Sequence, residues 1–152
     1  MKIAIACDHA AVDLKEAIKA YLDSRLIEYI DFGTNGSESV DYPHFAEKVA
    51  KAVLSGDCER GILICGTGIG MSIAANKFAG IRAVACSEPY SAILSRRHNN
   101  SNVLCFGARV VGAGLATLIT EGWINAAYEG GRHQRRLDII TRIETQQLPH
   151  EQ

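Results

Sequence analysis

The stretch Gly61 to Lys77, GILICGTGIGMSIAANK, constrains this chain more than any other. Gly61 to Ile64 reads as a short buried strand with β-branched members, and Cys65 falls where that strand should end. Gly66, Gly68 and Gly70 follow on alternate positions, with Thr67 and Ile69 between them. A helical pattern starts at once, carried by Met71, Ile73, Ala74, Ala75 and Phe78. Strand, glycine turn and helix start is the layout that aims backbone N–H groups at a bound anion. The thiol at its rim is the unusual part. A thiol near a helix N-terminus tends to be acidified, so it can act as base or nucleophile.

The rest of the chain repeats the alternation. Lys2 to Cys7 is a first strand ending at Asp8-His9, and a helix with Val12, Leu14, Ile18 and Leu22 follows, charged at Lys15, Glu16, Lys19 and Asp23. Glu28 to Phe32 is a second strand, Thr34 to Tyr42 is turn-like, and Pro43 opens a helix that stops near Gly56. Arg82 to Cys86 and Asn102 to Phe106 are the last strands, with a helix from Pro89 to about His98 between them. Helices at about 113–127 and 132–145 are split by Gly130-Gly131. Short strands, apolar on both faces and alternating with helices, imply a parallel sheet covered on each side. The expected fold is a Rossmann-like three-layer α/β/α sandwich with a five-stranded parallel sheet and an extra C-terminal helix. In such sheets the ligand sits at the carboxyl ends of the strands. Asp8, His9, Cys65 to Gly70 and the loops leading to His98 and Arg109 are expected there.

At 152 residues the chain reads as a single domain, 1–152, with the tail 146–152 frayed. A net charge of −1 offers no basic field for nucleic acid. The apolar runs are too short to span a membrane, and Met1-Lys2 leads straight into a strand rather than a leader, so a cytoplasmic protein is expected. Five cysteines, an odd number with no C-x-x-C spacing, suit reduced thiols better than disulfides or zinc.

The Gly66–Gly70 turn fits the nucleotide motifs badly. The dinucleotide fingerprint needs glycine at position 71, which is Met, and Lys77 lies too far along for a phosphate loop. A tight turn with no ligand is the plain alternative; Cys65 at one edge and Thr67 inside favour an anion hole beside a reactive group. Asp8 could be a helix cap or a sugar-hydroxyl acceptor. Arg96 and Arg97 suit a helix C-terminus, whereas His98 titrates in the useful range and could reach the site above the sheet. Arg132 and Arg136 share one helical face near a helix start, where positive charge calls for an anion. Arg109 is a third cation. These parts suit proton transfer beside a carbonyl of a small phosphorylated substrate.

Cys7-Asp8-His9, Asp41-Tyr42-Pro43, Gly61 to Lys77, Gly80 to Ala83, Ser87 to Tyr90, Arg97-His98-Asn99, Gly107 to Gly112 and Tyr128 to His133 occur in an order and spacing that resemble the B-type ribose-5-phosphate isomerases. That family also holds allose-6-phosphate and galactose-6-phosphate isomerases. The resemblance implies interconversion of ribose 5-phosphate and ribulose 5-phosphate through a cis-enediol(ate), in the non-oxidative branch of the pentose phosphate pathway, with no metal or organic cofactor. It makes Cys65 the base between C1 and C2, with Thr67 and the N–H groups of Gly66, Gly68, Ile69 and Gly70 stabilising the oxyanion. His98 would open the furanose ring. Asp8, Tyr42 and Asn99 would hold sugar oxygens, and His9, Arg109, Arg132 and Arg136 the phosphate. Family members are homodimers or dimers of dimers with shared active sites, so the expected partner is a second copy, with no nucleic acid or membrane. An isomerase of a six-carbon sugar phosphate is the near alternative, and a non-catalytic sugar-phosphate or nucleotide-binding module the remote one.

Overall fold

The computed structural model describes residues 1–146. Its elements alternate as β1 (Lys2–Cys7), α1 (Val12–Ser24), β2 (Glu28–Asp31), α2 (Tyr42–Leu54), β3 (Arg60–Cys65), α3 (Ile69–Ala75), β4 (Ala83–Ala85), α4 (Pro89–Asn99) and β5 (Val103–Gly107), then α5 (Ala113–Asn125) and α6 (Arg132–Gln146). The strands form one five-stranded sheet in the order β2-β1-β3-β5-β4, and every pairing is parallel. The expected α/β/α layering is what forms. Gln146, taken as the start of a frayed tail, is the last residue of α6, and 147–152 lie outside the described residues.

Strand side chains alternate between two apolar cores. Ile3, Ile5, Ile62, Ile64, Leu104 and Phe106 pack under α1, α4 and α5, with Trp123 at 0% exposure; Ala4, Ala6, Leu63, Val103 and Cys105 pack under α2 and α3. Burial on both faces accounts for the near-continuous apolar runs in the sequence. Small residues on the second face let the α2 layer approach closely: a Cβ on Gly61 would lie 2.5 Å from Val49 Cγ1.

Two local readings are corrected. α3 stops at Ala75 rather than running on to Phe78, because the Asn76 side chain turns aside to pair with both backbone groups of Ala83, at 2.8 Å each. Ile73, read as a core position of that helix, is 56% exposed. Lys15, grouped with the charged face of α1, is 0% exposed. It lies seven residues before Leu22 and three before Ile18, on the apolar stripe itself, so the helical period placed it inward. Its ammonium meets Asp31 at 2.8 Å, the Thr34 carbonyl at 3.0 Å and Asn35 Oδ1 at 2.6 Å, pinning the connection between β2 and α2.

Candidate active site

β1, β3 and β5 end side by side, and the turn after β3 is built by that adjacency. Gly68 has φ +79°, and a Cβ there would lie 2.7 Å from Phe106 Cα, so only glycine fits against β5. A Cβ on Gly107 would strike Thr67 Cα at 2.4 Å. The Ala108 and Arg109 amides bind back to the carbonyls of Cys65 and Gly66, at 2.8 and 3.1 Å, locking the two loops together. Inside this turn the Gly68 N–H donates to Cys65 Sγ at 3.1 Å, and the Ile69 N–H donates to Thr67 Oγ1 at 3.3 Å. Cys65 is 5% exposed, at the floor of the site, while Thr67 and Ile69 face solvent.

Other expected residues gather on the same edge. The Arg109 side chain lies over Gly66, 3.6 Å from where a Cβ would stand, and the Tyr42 ring covers Gly70 at 2.8 Å by the same measure. Tyr42 reaches it from the first turn of α2. Asp8 is buried and does not cap α1: Ala11 holds the N-cap position, and Asp8 Oδ1 accepts from the Ala10 N–H at 2.9 Å. His9 Nδ1 accepts from the Val40 N–H at 3.4 Å, which ties the 34–41 connection to the site. A cleft of about 740 Å³ opens beside it between the starts of α1 and α5, lined by His9, Asn35, Gly36, Ala108 and Gly112. Burial holds the other thiols protonated, with Cys7 pushed up to about 12 and Cys86 to about 11.

His98, Asn99, Arg132 and Arg136 are elsewhere. A helix that follows a parallel strand runs back to the amino edge of the sheet, so the C-terminus of α4 lies opposite Cys65. Arg82, just before β4, donates to the carbonyls of Asn99 and Asn100 at 3.1 and 3.0 Å, which fixes that end. At about 3.3 Å per residue, the length of β5 separates His98 from Cys65 by roughly 15 Å. The expectation that His98 reaches the site above its own sheet is therefore corrected for a single chain. Arg96 is structural: it is buried, bonds to Asn100 Oδ1 at 2.9 Å and lies over the Trp123 ring at 5.9 Å.

This second cluster is organised in its own right. His98 and His133, from the start of α6, stack with ring centroids 4.2 Å apart and planes 7° from parallel. Glu129 Oε2 lies 3.6 Å from Nε2 of each ring, while its Oε1 accepts from Arg97 Nε at 2.6 Å. The Arg97 guanidinium holds the Glu129 carboxyl below its ordinary range, and burial pushes the His133 imidazole down, helped by the charges of His98 and Arg132. Sequence reasoning missed Glu129 and His133; Gly130-Gly131 breaks the helical spacing that would have paired them. Among the described residues this is the one group of three metal-type donors within 4.8 Å. Parallel rings send their lone pairs side by side rather than onto one ion, and Arg97, Arg132 and Arg136 oppose a dication. The group fits a metal poorly.

A thiol and an N–H nest at the carboxyl edge of a doubly covered parallel sheet define a small-molecule enzyme site of the α/β class. The sequence model of the ribose/galactose isomerase family matches residues 3–140. Ribose-5-phosphate isomerase B of Escherichia coli is 62% identical over 143 residues, 94% of this chain and 96% of that one. The structure of the Clostridium thermocellum ribose-5-phosphate isomerase B superposes with a TM-score of 0.94 at 54% identity, over 96% of this chain and 99% of that one. A Mycoplasma genitalium ribose-5-phosphate isomerase B with bound ribulose 5-phosphate gives 0.90 at 42% identity, over 95% and 96%. The chain belongs to the ribose/galactose isomerase family.

Proposed function

We infer that this protein is an aldose–ketose isomerase that interconverts ribose 5-phosphate and ribulose 5-phosphate, with its active site completed by a second copy of the chain. The isomerase reading rests on relatives across nearly the full chain, together with Cys65 on the floor of the N–H nest. Cys65 takes the proton from C2 of the open-chain aldose and returns one to C1. Thr67 and the N–H groups of Gly66, Gly68, Ile69 and Gly70 stabilise the enediolate oxygen as charge develops, an effect commonly worth about 10²–10³ in rate per donor. Asp8 and Tyr42 hold sugar hydroxyls; His9 and Arg109 receive the phosphate.

The carrying observation for the shared site is that each chain holds two incomplete halves at opposite edges of its sheet. One has the thiol and nest; the other has His98, Asn99, Arg132 and Arg136. A partner related by a two-fold axis brings its second half to the first, and the isologous contact completes both sites. The outward face of α6 suits that contact, since Ile139, Ile140 and Ile143 are 46%, 49% and 52% exposed beside the arginines. His98 of the partner then opens the furanose, and Arg132 and Arg136 of the partner close on the phosphate. No helix of the described residues is long and apolar enough to cross a membrane. We propose a cytoplasmic enzyme acting in the pentose phosphate pathway, on the strength of its relatives.

The direct test is turnover of ribose 5-phosphate and allose 6-phosphate with chelator present. Expected is conversion of ribose 5-phosphate that is lost in Cys65→Ala while substrate binding survives. Near-normal turnover by the variant removes Cys65 from the base role, and a clear preference for allose 6-phosphate reassigns the substrate.

A further inference from the structure

The Glu129–His98–His133 group lies outside the thiol half-site, and its geometry is more exacting than substrate contact alone requires. His98 is a third exposed, on the last turn of α4, where a lone imidazole would be free to swing. Two constraints prevent that. The ring of His133, only 8% exposed, lies flat against it, and Glu129 is anchored from both sides by Arg97. Arg97 Nε donates to Glu129 Oε1, and the Glu129 N–H donates to the Arg97 carbonyl at 2.9 Å. Anchored in this way, Glu129 turns its second oxygen to both imidazoles. His133 Nε2 is buried with no hydrogen-bond partner and lies 3.6 Å from that oxygen.

We propose that Glu129 and His133 are positioning residues for His98: the carboxylate fixes the proton on Nε2, and the stacked ring fixes the plane of the imidazole. The proposal rests on the ring-opening role given to His98 above. A carboxylate 3.6 Å from Nε2, beyond hydrogen-bond length, favours the Nε2–H tautomer electrostatically and leaves the lone pair on Nδ1. Nδ1 then takes the proton of the anomeric hydroxyl, the C1–O4 bond breaks, and the ring oxygen receives that proton as the C1 carbonyl forms. Two stacked imidazolium rings would repel, so the pair carries at most one extra proton. His133 is the ring kept neutral by its burial. The charges around His98 are Glu129, Arg97 on its own helix, Arg132 and Arg136 on α6, and Arg82 at the Asn99 carbonyl. Glu129 is the one negative group among them.

The test uses the full-length enzyme and three readouts. Histidine ring ¹H–¹⁵N correlation spectra report the tautomer of His98. Turnover of ribose 5-phosphate reports the whole reaction. Exchange of a C1 proton of ribulose 5-phosphate into D₂O reports the enediol step, which needs no ring opening. In Glu129→Gln the His98 ring should lose its single tautomer. Ribose 5-phosphate turnover should fall about tenfold, within the range of acid–base catalysis, while C1 exchange stays within about twofold. His133→Phe, which keeps a flat ring, should retain more turnover than His133→Ala. An unmoved tautomer in Glu129→Gln overturns the proposal. If instead His98→Asn keeps full ribose 5-phosphate turnover, it is the ring-opening role that fails.

Discussion

Mixing two dead enzymes should restore activity. Cys65→Ala removes the base from the half-site at the carboxyl edge, and His98→Asn damages the other half at the amino edge. Within one chain these positions are separated by the length of β5, roughly 15 Å at 3.3 Å per residue. A pentose phosphate cannot bridge that span through the core. In a mixed dimer, one site pairs the two altered residues and the other pairs intact Cys65 with intact His98. Random reassortment makes half the dimers mixed, each with one good site, so about a quarter of the wild-type rate should return. The assay unfolds the two variants together in urea, refolds them at equal concentration, and compares ribose 5-phosphate turnover with each variant refolded alone. Native mass spectrometry on a tagged partner counts the mixed dimers. Mixed dimers present at half abundance with no recovered rate would refute the shared site.

Gly68→Ala should cost stability as well as rate. A left-handed residue at φ +79° costs roughly 1–2 kcal/mol and the clash with the Phe106 backbone about 1–3 more, so Tm should fall by about 5–15 °C in a thermal melt. Lys15→Met should destabilise by about 3 kcal/mol in urea, at the low end for a broken buried pair because Lys19 still meets Asp31 at 3.0 Å. The folded state binds a proton at His133 less readily than the unfolded chain, whose imidazole titrates near 6.5, so stability should decline as pH falls through 6.5. Urea midpoints at about pH 7.5 and 5.5 should differ less in His133→Gln than in wild type, and an unchanged gap would remove His133 from that pH dependence.

The parallel sheet was legible because burial on both faces leaves little room for polar residues in β1, β3 and β5, and glycines mark each point where chain meets chain. The position of Cys65 was legible for the same reason: a buried strand closes on it just before three alternating glycines. Lys15 was misread because its charge outweighed its position. The stripe Leu14, Ile18 and Leu22 passes through it, and the partners that make burial tolerable, Asp31, Thr34 and Asn35, lie sixteen to twenty residues away. No local pattern supplies them.

The placement of His98 was misread because of a rule of topology rather than of chemistry. In a right-handed β-α-β unit the loop after a strand opens on the carboxyl edge, and the end of the following helix returns to the amino edge. His98 ends α4 and so belongs to the amino edge, whatever its chemistry suggests. The same rule carries the converse. In the proposed dimer, the thiol and nest at one edge and the imidazole with two guanidinium groups at the other are completed together by two chains related by a two-fold axis. Under that proposal Glu129 and His133 gain a purpose that the single chain does not explain, that of holding a ring in register for a substrate bound on another molecule. A side chain that must meet its substrate across an interface cannot rely on its own helix for placement. In the proposed dimer, the stack and the anchored carboxylate are what supplies that placement before the partner arrives.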